Sequence, residues 1–112
     1  MAEEGTMNEQ NSVEESAGNI ELGGKITLSG FSSVEPGKMV VVKKIIGNYV
    51  KKMEDRTENF ESVIVHLKVV HNSEFEIQAK LAANGQSYNA GVTDFNLFFA
   101  ISRAMDKIIG EI

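Results

Sequence analysis

Basic side chains at helical spacing are the residues of this 112-residue chain with the clearest chemical potential. Lys and Arg neutralise backbone phosphates of a nucleic acid and release its condensed counterions. Two stretches with helical periodicity carry such residues on their outward sides, and the second stretch adds an aromatic ring. The predicted RNA-binding set consists of Lys43, Lys44, Lys51, Lys52, Phe99, Arg103 and Lys107.

Phe99 is the most specific member of this set. An exposed ring among cations can stack on an unpaired base, and solubility does not explain a phenylalanine there. Its alternatives are a dimer contact or a cover for the other helix. For the lysines, the alternative is that they only keep an exposed helix face soluble.

Other site types find little support in the sequence. A phosphate-binding loop at Gly23-Gly24-Lys25 would need Gly at position 19 and Ser or Thr at position 26, where Asn19 and Ile26 stand. His66 and His71 have no Cys and no convergent acids, so metal-ligand spacing is not met. We therefore expect a protein that is not an enzyme and that has no cofactor and no metal.

Charge is distributed unevenly along the chain. Residues 1–23 contain six acids and no Lys or Arg, whereas residues 24–112 hold eleven bases and ten acids, a balance of +1. The first segment also lacks the apolar surface needed to offset the entropy of ordering it. We predict a disordered acidic leader over residues 1–23 and one folded domain over residues 24–112. The leader is either a soluble tail or a segment that folds back on the cationic helix faces.

The composition also bounds the compartment. Cysteine is absent, so no disulfide framework exists. No apolar run approaches the roughly 18 residues of a membrane span, and the first residues lack a basic-then-apolar signal pattern. We expect a cytoplasmic protein with no membrane partner.

Alternation of apolar and polar residues predicts four strands in the folded domain. In the longest strand, Val63, Val65, Leu67 and Val69 should face the core. Asn84-Gly85 is a strong hairpin signal, which makes the last three strands antiparallel neighbours. The predicted strands span residues 25–31, 60–70, 74–83 and 86–92.

A periodicity of 3.6 residues predicts two helices. The first runs from about Pro36 to Met53 or slightly beyond, and the second begins near Asp94 or Asn96; Thr93 is a further N-cap candidate. The first helix should bury Val42, Ile45, Ile46, Tyr49 and Met53, and the second Leu97, Ile101, Ala104, Met105 and Ile108.

One apolar stripe on each helix and one apolar face on the sheet favour a two-layer α+β fold. The predicted order is β-α-β-β-β-α. The mainly antiparallel four-stranded sheet should carry both helices on one face.

Two segments of the chain resemble the ribosome hibernation-promoting factors, also called ribosome-associated translation inhibitors. These segments are residues 64–69 and 96–108, and within the second the matching residues are Phe98, Ala100, Ile101, Asp106 and Lys107. In the first helix, Lys52-Met53-Glu54 is similar to the Lys-Leu-Glu of the family, and Gly30 fits the end of its first strand. The resemblance covers the whole folded part and is to the short form of the family.

This resemblance implies a function without a chemical step. Members of the family bind the small ribosomal subunit between head and body, overlap the mRNA and tRNA positions and hold idle ribosomes inactive. Basic side chains on the outer faces of both helices contact ribosomal RNA, which makes Lys52 and Lys107 the residues supported by matching positions. Pairing of ribosomes is not expected, because the long form's C-terminal dimerising domain is not seen in this sequence.

Two other functions remain open from the residues alone. A general double-stranded RNA-binding module has a related helix–three-strand–helix layout and would bind any duplex RNA with comparable affinity. A protein-interaction or homodimerisation domain would use Phe99 and the open sheet face and would be indifferent to salt. The expected oligomeric state is a monomer or a weak homodimer.

Overall fold

The computed structural model describes residues 15–16, 19–70 and 73–112. Among these residues, six strands join one sheet and two helices pack on it. The elements in chain order are β1 (Glu15–Ser16), β2 (Asn19–Leu22), β3 (Ile26–Ser29), α1 (Pro36–Arg56), β4 (Phe60–Val70), β5 (Glu74–Ala83), β6 (Gln86–Asp94) and α2 (Leu97–Ile109).

The strands lie in the sheet in chain order, from β1 at one edge to β6 at the other. All neighbours are antiparallel except β3 and β4, which are parallel and are joined through α1. A parallel pair requires such a crossover, and a helix is its usual form. The predicted α+β class and the order strand–helix–strand–strand–strand–helix are confirmed, and the four predicted strands are β3 to β6.

The prediction of disorder up to residue 23 is wrong where β1 and β2 lie. β2 pairs antiparallel with β3, with Ile20 opposite Leu28 and Leu22 opposite Ile26. Ile20 is buried because β2 alternates apolar and polar residues, as the other strands do. Gly23 takes a positive φ of 67° in the turn that follows, so the predicted boundary is a hairpin loop within the sheet. Residues 1–14 and 17–18 of the predicted leader lie outside the described residues.

Both helices bury the predicted stripes. On α1 the side chains of Val42, Ile46 and Met53 are fully buried, whereas Ile45 and Tyr49 are half-buried on one flank of the stripe. On α2 all five predicted residues are buried. The stripes extend further than predicted, by Met39 and Val50 on α1 and by Ala100 on α2. No helix among the residues that the structure describes is long and apolar enough to cross a membrane.

Val69 is the error in the predicted core. It shares a face of β4 with the buried Val65 and Leu67, yet 55% of it is exposed. Val69 lines an open groove with Leu67, Phe75 and Leu97 near the beginnings of both helices. The alternation was therefore read correctly, but β4 extends past the cover that the helices provide.

Candidate nucleic-acid interface

The two helices run in the same direction, side by side on one face of the sheet. Near their beginnings, Lys38 of α1 and Leu97 of α2 line the same groove. Further along both helices, Tyr49 of α1 contacts Asp106 of α2. The outward sides of α1 and α2 therefore form one surface, which we call the helix layer.

A hydrogen bond joins the two helices along the line where their outward sides meet, which we call the seam of the helix layer. The Tyr49 hydroxyl donates to Asp106 Oδ1 at 2.8 Å. Desolvation raises the pKa of Tyr49, and the hydrogen bond and negative charge of Asp106 raise it further. Lys52 Nζ lies 5.0 Å from the centroid of the Tyr49 ring, in a cation–π contact that holds this cation beside the seam.

The lysines of α1 lie on different sides of the helix. Lys44 and Lys51 are exposed and seven residues apart, so they share one side two turns apart. Together with Lys52 they lie on the solvent-facing side of α1, between the seam and the flank of α1 that faces away from α2. Lys43 is half-buried and lies about 120° around the axis from Tyr49, past the buried stripe. Three of the four predicted α1 cations therefore share the helix layer, and Lys43 lies on its flank.

Phe99 lies in the first turn of α2, with 62% of the residue exposed. Its backbone N–H donates to Asn96 Oδ1 at 3.0 Å, which identifies Asn96 as the N-cap among the three candidates. The cap fixes the start of α2 and therefore which way the Phe99 ring points. The predicted exposure of Phe99 is confirmed.

Arg103 is tied to the end of β6. Its Nη1 lies 3.0 Å from Asp94 Oδ2, while Asp94 Oδ1 accepts the backbone N–H of Asn96 at 2.8 Å. The hydrogen bond from Asn96 holds the pKa of Asp94 below its ordinary value, and the Arg103 guanidinium lowers it further. Arg103 remains exposed, so it can exchange this partner for a phosphate.

Lys107 points away from α1. Its Nζ lies 3.4 Å from the carbonyl oxygen of Gly91 on β6, the edge strand of the sheet. An edge strand has backbone groups without a neighbouring strand, and a lysine is a common way to guard them. Lys107 therefore lies on the flank opposite Lys43. The helix layer proper brings together Lys44, Lys51, Lys52, Phe99 and Arg103.

Sequence reasoning missed one exposed aromatic side chain near this surface. Phe95 lies between β6 and the N-cap of α2, and 69% of it is exposed. It lines an open groove together with Lys38 and Phe98. The signal in the sequence was a phenylalanine directly after a strand and directly before an N-cap candidate, a place where polar turn residues are usual.

The other face of the sheet is mainly polar. His66 Nδ1 lies 3.1 Å from Ser29 Oγ, and Lys80 stands opposite Ile64 and Asn89 on the neighbouring strands. Residues 15–16, 19–70 and 73–112 contain no group of three or more His, Cys, Asp or Glu placed to hold a metal ion. His71 lies outside these residues.

Neither protein-family models nor curated proteins give a match to this chain. Solved structures do. The Protein Y N-terminal domain of Thermus thermophilus matches with a TM-score of 0.59 at 16% identity, over 78% of this chain and 90% of that one. A ribosomal subunit interface protein from Coxiella burnetii matches with a TM-score of 0.51 at 10% identity, over 78% of this chain and 89% of that one. This chain therefore has the same fold as these two proteins, as its resemblance to the hibernation-promoting factors predicted.

Proposed function

We propose that this chain is a ribosome-associated factor of the hibernation-promoting kind. It binds the small ribosomal subunit in the cytoplasm and occupies the positions of mRNA and tRNA. The observation that carries the proposal is the fold, which is shared with a protein named for the interface of ribosomal subunits. The helix layer supplies the surface that such binding requires.

The helix layer has the chemistry of a contact with ribosomal RNA. Lys44, Lys51 and Arg103 are exposed, and Lys52 is held beside the seam by the Tyr49 ring. Their ammonium and guanidinium groups can neutralise several phosphates of the RNA backbone at once. Lys43 and Lys107 widen this surface on its two flanks, and Phe99 offers a ring for an unpaired base.

Inhibition by such a factor needs no bond to be made or broken. A rigid domain that fills the mRNA and tRNA positions excludes both by volume. The two-layer fold suits this role because helices and sheet share one continuous core. The proposal therefore assigns binding residues and no catalytic residue.

Co-sedimentation tests the proposal. The chain is mixed at low salt with purified small subunits, with large subunits and with a duplex RNA of arbitrary sequence. We expect it to sediment with small subunits and to release bound mRNA and tRNA from them. Equal affinity for any duplex would instead identify a general double-stranded RNA-binding module.

Absence of the chain from every ribosomal fraction would refute the proposal. If its mass then increased with concentration and did not respond to salt, a homodimerisation domain would explain the exposed Phe99 better. Sedimentation velocity over a range of protein concentrations measures that behaviour.

A further inference from the structure

The groove at the beginnings of the two helices has features that phosphate binding by the helix layer does not explain. Its part nearest α2 has a volume of about 160 Å³ and is lined by Lys38, Phe75, Phe95, Asn96, Leu97 and Phe98. This is smaller than the roughly 300–1,000 Å³ of a site for a drug-sized ligand. Three aromatic rings line this part of the groove, and its size suits one small planar group.

Phe95 is the exposed ring of this groove. It projects from the turn before α2, whereas Phe75 and Phe98 are half-buried against the core. A ring that is 69% exposed gains little from folding, so packing does not account for it. A planar partner stacked on its free face would remove that apolar surface from water.

Lys38 is the one charged residue among the described residues that line this part of the groove, and its positive charge favours an anionic partner. Lys38 lines both this part of the groove and its neighbouring part, and neither helix has an acid in its first turn. Asp94 is near, but its two oxygens are engaged by Asn96 and Arg103. Glu35 lines the neighbouring part of the groove rather than this one. An aromatic ring beside a lysine suits a base and its phosphate.

We propose that Phe95 and Lys38 bind an unpaired nucleotide, with the base stacked on the Phe95 ring and a phosphate on the Lys38 ammonium. This inference rests on the proposed function and specifies its RNA partner further. The chain recognises a single-stranded segment at the end of the helix layer, because bases within a duplex are stacked on one another and cannot cover a protein ring.

Binding of a labelled single-stranded RNA oligonucleotide tests this inference directly. Wild type should bind the single strand more tightly than a duplex of the same length. Phe95→Leu keeps an apolar side chain but loses the flat π-face, so affinity should fall about 5- to 150-fold. Phe95→Trp keeps the face and should bind at least as well as wild type. Val40→Ala is the matched control, since Val40 is an exposed apolar residue of α1 that does not line the groove.

Salt dependence tests the role of Lys38. Lys38→Gln should lower the slope of log affinity against log salt by about 0.7, the value for one phosphate contact on a single strand. An unchanged slope would remove Lys38 from the site.

Unchanged affinity in Phe95→Leu would overturn the stacking contact, and an apolar peptide would then be the better partner for this groove. Failure of the inference is separable from failure of the proposed function. If wild type sediments with small subunits but prefers duplex RNA, only the nucleotide site is refuted.

Discussion

The Tyr49 hydroxyl and Asp106 Oδ1 lie 2.8 Å apart and join α1 to α2 at the surface of the helix layer. The contact does two things. It links the outward sides of the two helices, and it places a carboxylate beside the Tyr49 ring that Lys52 also contacts. Asp106 therefore moderates the positive charge of the seam, and its hydrogen bond with Tyr49 limits how freely it can turn outward.

A spectrophotometric titration of Tyr49 should show this contact. In a Tyr88→Phe background Tyr49 is the only tyrosine, because the chain has two. Its pKa is raised by desolvation and by Asp106, so ionisation should occur above pH 10 in the folded protein. The linked stability is present below pH 10 and is lost as pH rises through the folded pKa. Asp106→Asn should shift the midpoint downward, and an unchanged midpoint would show that Asp106 does not contact Tyr49.

Acid should weaken the contact between Asp94 and the start of α2. The pKa of Asp94 is lowered by the Asn96 N–H and by Arg103, so its contribution is present above the unfolded pKa near 4. This contribution is lost as pH falls through the folded pKa. Asp94→Asn should lower the melting temperature at pH 7 and have little effect at pH 2. Glu61→Gln, at an exposed acid of β4, is the control. If Asp94→Asn lowered the melting temperature equally at pH 7 and pH 2, the ionised Asp94 carboxylate would not be the source of this stability.

Gly30 is a position where only glycine fits. It has a φ of 84°, and an added Cβ would overlap the carbonyl oxygen of Leu67 on β4. Gly30→Ala should destabilise the fold by at least about 2 kcal/mol, because strain and overlap act together. Gly24→Ala is the matched control, since Gly24 has a φ of 80° with open space around it and should cost about 1 kcal/mol. Urea unfolding measures both, and equal costs would mean that the close approach to Leu67 is relaxed at no cost.

The position of each cation on the helix layer predicts how much it contributes to RNA binding. Lys51 lies on the shared outer side, whereas Lys107 lies on the flank beside Gly91. Lys51→Glu should therefore weaken binding to small subunits more than Lys107→Glu does. A competition assay with labelled wild type ranks the two variants, and the reverse order would move the centre of the interface toward the β6 edge.

The predicted strands were accurate where alternation was long. The bounds of β4 and β5 were as predicted because both strands are long, at 11 and 10 residues, and buried residues alternate with exposed ones through the middle of each. β2 was missed because Ile20 and Leu22 are only two apolar residues within an acidic, glycine-rich segment. Their pairing with Leu28 and Ile26 depends on a sheet edge that local sequence does not reveal.

The helix layer could be predicted only in part, because it too depends on how distant segments pack. Helical periodicity identified which cations point outward, but not which flank faces the other helix. That depends on where α1 and α2 cross the sheet, so only the structure shows that Lys52 lies where the helices meet and that Lys107 lies on the far flank beside Gly91. The exposure of Val69 and Phe95 has the same origin, because both lie just beyond the cover that the helices give.

The most direct test of the proposed function compares two charge-matched variants in co-sedimentation with small ribosomal subunits. The double variant Lys44→Glu with Lys51→Glu reverses the sign of two charges on the helix layer. The double variant Lys25→Glu with Lys80→Glu makes the same change in net charge away from the helix layer. We expect the first variant to bind on the order of 10-fold more weakly or worse, with a reduced salt dependence, and the second to bind much as wild type does. Equal binding by the two variants would contradict the claim that the helix layer is the ribosome-binding surface.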